Sequence, residues 1–154
     1  MNSENMVRRF SPWMLCAAVL IACGPPSGGG ASARIARQVD THVGKVIDLR
    51  DALPGPWTRL FIFGPYTTQA QAEKALGRPW PYKWGAIAVL DDRAFFIFMD
   101  SSRIVAAFDQ LYANGLFVHP HGSSGYPRDS VRFMVRDRGK FPNGATYREV
   151  EWVP

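Results

Sequence analysis

The chain has 154 residues, enough for one ordinary domain and too few for two. Its 47% hydrophobic, 13% aromatic and 20% charged residues give a globular balance that excludes an intrinsically disordered chain. The formal charge is +5, and the densest basic cluster is Arg128, Arg132, Arg136, Arg138 and Lys140. With no nucleic-acid-binding module attached to it, that charge suits solvation and weak attraction to anionic envelope surfaces, and no nucleic acid is expected as a partner.

Residues 1–12 carry Arg8 and Arg9, and Trp13 to Ala22 then form an uncharged apolar run. This is the basic n-region and short h-region of an export signal. At about 1.5 Å per helical residue the run covers roughly half a hydrocarbon core, too little for a stable transmembrane helix. Arg8-Arg9 leads straight into Phe10-Ser11-Pro12, which departs from twin-arginine spacing, so the pair is read as ordinary signal charge.

Only two cysteines occur, Cys16 and Cys23, so the chain beyond residue 23 can form no internal disulfide. Leu20-Ile21-Ala22-Cys23 closes the apolar run, and it resembles the lipobox of bacterial lipoproteins. The resemblance implies diacylglycerol on the Cys23 thiol, cleavage after Ala22 and, in many bacteria, acylation of the new amino terminus. The chemistry explains the residues: only a thiol yields the thioether, and a small side chain fits beside the scissile bond. Gly24 follows the cysteine, where an Asp tends to mark retention at the inner membrane. The expected address is therefore the cell envelope, with the outer membrane favoured in a Gram-negative host and membrane lipid as the partner of acylated Cys23. An ordinary cleaved signal peptide and an uncleaved anchor are the alternatives. Removing residues 1–22, with Arg8, Arg9 and Glu4, lowers the charge to +4.

The expected organisation is a signal peptide over 1–22, lipidated Cys23 with a flexible linker over 23–33, and one domain over 34–154. Gly24 to Ala33 is rich in glycine, proline and serine. No strand precedes these glycines and no Gly-Lys-Ser/Thr follows them, so a linker is expected rather than a phosphate loop.

Val46–Leu49 and Leu60–Phe63 read as strands. Thr68 and Gln71 have capping-box spacing for a short helix with Ala72, Ala75 and Leu76 on its apolar face, and Gly77 suits a left-handed stop. The stretch Trp57 to Gly77 loosely resembles small exported bacterial proteins of unassigned function, a likeness that carries no activity. Gly85–Leu90, Ala94–Met99 and Arg103–Phe108 read as a meander, with Asp91-Asp92-Arg93 and Asp100-Ser101-Ser102 as turns. Residues 110–129 read as a long excursion, and Val131–Arg136 and Tyr147–Val153 as two further strands. The sum is an α+β domain: a mostly antiparallel sheet with one short covering helix, which buries Phe61, Phe63, Ile87 and Val89.

His119-Pro120-His121 places two imidazoles where both could reach one metal, with Asp129, His42 or a distant carboxylate completing the set. The loop is rich in glycine and serine, so the stronger expectation is two ordinary exposed histidines and no metal or other cofactor. Gly122-Ser123-Ser124-Gly125 lacks nucleophile-elbow spacing and reads as a turn. Trp80, Tyr82 and Trp84 would offer a platform to a glycan or peptide if exposed, and otherwise close the core beside Trp57. With no catalytic constellation assigned, the leading expectation is a non-enzymatic binding or structural module with an envelope protein as partner. The alternatives are a hydrolase or metal-dependent enzyme using the 119–129 loop, and a ligand-binding module around Trp80–Trp84.

Overall fold

Leu60–Phe63 and Ala94–Met99 are apolar without alternation, and a strand of that kind must be covered on both faces. The computed structural model describes residues 24–118, 124–140 and 142–154. Its elements are α1 (Ala31–Thr41), β1 (Val46–Asp48), β2 (Arg59–Phe63), α2 (Gln69–Leu76), β3 (Arg93–Asp100), β4 (Arg103–Leu111), β5 (Leu116–Val118), β6 (Tyr126–Pro127), β7 (Arg132–Lys140) and β8 (Thr146–Trp152). Among the described residues the strands form two four-stranded sheets, ordered β4-β3-β2-β6 and β1-β7-β8-β5. Neighbours are antiparallel except β5 and β8, which run parallel. The fold is α+β with mostly antiparallel sheet.

The first sheet is the middle layer. Leu60, Ile62, Phe96 and Phe98 face the second sheet and pack with Ile47, Phe117, Phe133, Val135 and Val150, while Ile35 and Val39 of α1 close the same core. Phe61, Phe63, Phe95, Ile97 and Met99 face the other way, toward Ala72 of α2, Trp80 and Ile87. The β3–β4 register shifts by one residue, from Phe98 opposite Ala106 to Met99 opposite Ile104. Val105 is the extra residue, and the bulge turns both Val105 and Ala106 toward the core between the sheets.

α2 forms as its sequence dictates. The Thr68 hydroxyl accepts from the Gln71 amide, the Gln71 side chain accepts from the Thr68 amide, and Gly77 ends the helix at φ 69°.

Four expectations are corrected. The leash expected to run to Ala33 gives way to packed chain well before that point. The Pro26 carbonyl accepts from the Ala107 amide at 2.9 Å, Gly28 is buried, and α1 begins at Ala31. The signal for α1 was the i, i+4, i+8 spacing of Ala31, Ile35 and Val39, all fully buried. Second, Gly85–Leu90 is no strand: Ala86–Ala88 is a 3₁₀ turn. Ile87 is buried there but Val89 is 73% exposed, because alternation in a short run anchored by one side chain does not supply a pairing partner. Asp91-Asp92 therefore lies in a loop ahead of β3 and is not a hairpin tip. Third, the excursion over 110–129 contains the end of β4 together with β5 and β6. Fourth, Trp80 closes the core under α2, whereas Trp57 belongs to the core between the sheets.

Gly28 has an ordinary φ but no room. A Cβ built there would lie 2.6 Å from Cε1 of Phe108, a ring stacked on Phe96 and Phe98 at 5.8 and 5.9 Å. Gly28→Ala should therefore lower stability by about 1–3 kcal/mol, seen as a lower urea midpoint with an unchanged slope. An unaltered midpoint would mean that residues 24–28 do not dock on β4.

Candidate functional site

Trp57 precedes β2 and is 2% exposed, with its indole N–H donated to the Leu53 carbonyl at 3.0 Å and its ring edge-on to Phe98 at 4.9 Å. A 3₁₀ turn, Arg128–Ser130, follows β6. The Arg128 amide donates to the Thr58 carbonyl at 3.0 Å, its Nη1 donates to the Gly55 carbonyl at 3.1 Å, and its guanidinium lies 4.9 Å from the Trp57 ring centre. Backbone pairing and a cation–π contact thus fix this side chain together.

An open depression of about 460 Å³ is lined here by Arg50, Trp57, Thr58, Pro127, Arg128 and Asp129. Asp48 holds Arg50 in place, accepting from Nε at 2.8 Å and from Nη2 at 2.6 Å. Partial burial pushes the Asp48 carboxyl up, but the Arg50 hydrogen bonds and charge outweigh it, and the group sits below its ordinary value. The same bonds from Asp48 raise Arg50, with smaller contributions from Asp51 and Asp129. Two guanidinium groups, a carboxylate and an indole thus meet around one open depression.

Asp129 is the one member of the expected metal set placed at this depression; His119, His121, Ser123 and Cys23 lie outside the described residues. His42 ends α1, where its Nδ1 lies 2.8 Å from the Thr41 hydroxyl and 3.1 Å from the Gln38 carbonyl. Among the described residues, no three His, Cys, Asp or Glu side chains are grouped to hold a metal ion. Trp80, Tyr82 and Trp84 do not form an exposed platform. Trp80 is 5% exposed and meets Tyr82, Trp84 and Phe95 edge-on at 5.4, 5.6 and 5.8 Å, and the Trp84 indole donates to the Thr67 carbonyl. The basic cluster is likewise dispersed. Arg136 pairs with Glu151 at 3.2 Å and Arg138 with Glu149 at 3.0 Å, across β7 and β8, while Arg132 donates to the Pro154 carbonyl.

Two features escaped the sequence reading. Tyr66 has φ 61° and is 61% exposed, and its amide donates to the carbonyl of the buried Ile87 in the 3₁₀ turn. Its only signal was an aromatic residue in the Gly64-Pro65 turn. A second depression, about 400 Å³, is lined by Asp91, Asp92, Leu111, Tyr112, Ala113, Asn143 and Ala145. Burial, with added repulsion from Asp91 and Asp92, pushes the Tyr112 phenol up to about 12.

In comparison with known proteins, no family model, curated protein or solved structure matches the chain.

Arg128→Ala removes the cation over Trp57 and a hydrogen bond to Gly55, and should cost about 1–2 kcal/mol of stability with a changed Trp57 emission. Urea unfolding followed by fluorescence checks both, and an unchanged midpoint would mean the contact is idle. The raised Tyr112 pKa contributes stability that is complete below the unfolded value of about 10 and disappears as pH climbs through about 12. Ultraviolet titration should show a late phenolate that is missing in Tyr112→Phe, and the stability gap between the two proteins should narrow over that window.

Proposed function

We propose that this protein is a lipid-anchored component of the bacterial cell envelope that works by contact, as a binding or structural module rather than an enzyme. The observation that carries the reading is Leu20-Ile21-Ala22-Cys23 at the end of a short apolar run behind Arg8 and Arg9. A thioether-linked diacylglycerol, with a further acyl chain on the amino terminus, supplies the two or more hydrophobic signals that stable anchoring needs at about 0.8 kcal/mol per buried CH₂. The host membrane is the outer one where the envelope is Gram-negative, as Gly24 after the cysteine suggests.

The depression around Trp57 and Arg128 supports action by contact. Its charged groups are held by hydrogen bonds to backbone and to one another, so they form a preorganised surface that an envelope protein meets at low ordering cost.

In cells fed an alkyne analogue of palmitate, the wild-type chain should take up label and partition into detergent. Cys23→Ala should do neither, and should accumulate as the longer precursor. An unmodified mature terminus downstream of Cys23, found by mass spectrometry, would falsify the anchor.

A further inference from the structure

β4 is an edge strand of the middle sheet, and an edge exposes unpaired backbone groups unless something covers it. Residues 26–31 provide part of that cover. The Ala107 amide donates to Pro26 at 2.9 Å, the Ala31 amide to Gly28 at 2.8 Å, and Arg34 donates to the carbonyls of Gly29 and Gly28 at 3.1 and 3.4 Å. Gly28 is pressed against Phe108, and the Ser32 hydroxyl donates to the buried Gln110 at 2.7 Å. The chain is therefore bound to the domain from Pro26 onward.

Only Gly24 and Pro25 separate Pro26 from Cys23. A linker extending to Ala33 would reach roughly 35–40 Å, but the span from Cys23 to Pro26 is at most about 11 Å. That is shorter than the radius of gyration of about 14 Å for a domain of this size. We propose that the outer edge of β4 and the start of α1 lie against the lipid headgroups of the membrane, so the domain is held flush with the bilayer and in a set orientation. This rests on lipidation of Cys23. The occupant of the surface is the bilayer, because so short a tether leaves no space for a protein between the two. Asp109 is exposed along this edge, whereas β6 lies three strands away, about 14 Å further from the lipid. The depression around Trp57 borders Pro127 of β6, on the side open to partners.

The test uses the lipidated protein in vesicles of phosphatidylethanolamine and phosphatidylglycerol doped with nitroxide-headgroup lipid. Cys16 leaves with the signal and the Cys23 thiol is blocked by lipid, so Asp109→Cys and Ser124→Cys each carry one reactive thiol for a fluorophore. The label at 109 should be quenched at least about twofold more strongly than the label at 124, given their separation across the sheet. Inserting about ten Gly/Ser residues between Gly24 and Pro25 should remove the difference by restoring a flexible leash. Equal quenching at both positions, in uninserted protein whose mass includes diacylglycerol, overturns the orientation and leaves the anchor standing. A mass without acyl groups overturns the anchor and the orientation with it.

Discussion

The structure depends on one constraint: β2 and β3 are apolar on both faces, so neither face of their sheet can be left to water. Phe96 and Phe98 on one face are wholly buried, as are Leu60 and Ile62, while Phe61, Phe63, Phe95 and Ile97 on the other face are at most 7% exposed. Each such side chain contributes about 1.5–3 kcal/mol when taken out of water, which is enough to recruit a second sheet on one side and α2 with its aromatic neighbours on the other. The short elements follow from this. α2 is only Gln69–Leu76 and β1 only Val46–Asp48, lengths that are marginal alone and acceptable when docked on a prebuilt apolar face.

The same constraint decides where polar chemistry is allowed. With the interior almost entirely apolar, charged groups stay at the surface, on both helices as well as on the rims and the outer face of the second sheet. There they pair with one another, as Arg136 does with Glu151 and Arg148 does with Asp137. The depression at Trp57 is a rim feature of this kind: the indole belongs to the core, and Arg128 lies over its ring while bonding to backbone. The floor of this depression is held in place because its indole is part of the hydrophobic core.

The N-terminal segment shows how packing redefines a linker. Glycine and proline at residues 24–30 have the composition of a flexible leash, yet Pro26 and Gly28 serve the edge of β4. Proline retains a carbonyl acceptor although it lacks an N–H, and glycine alone lets the backbone approach Phe108 so closely. Composition reports what a segment could do in isolation. A free sheet edge nearby changes what it does.

Much was legible in the sequence. The capping box at Thr68 and Gln71, the stop at Gly77, the β3–β4 turn at Ser101-Ser102 and six of the strands are local matters of backbone chemistry and hydrophobic pattern, and they read directly from neighbouring residues. What only the tertiary structure decided was partnership: which face of the middle sheet receives Trp57 and which receives Trp80, why Gly85–Leu90 stays unpaired, how β5 finds β8 in parallel, and how Arg50, Arg128 and Asp129 come to share one depression across more than seventy residues of chain. These depend on contacts between segments distant in sequence, whose free energy comes from buried area and shape. A residue and its immediate neighbours carry no record of either.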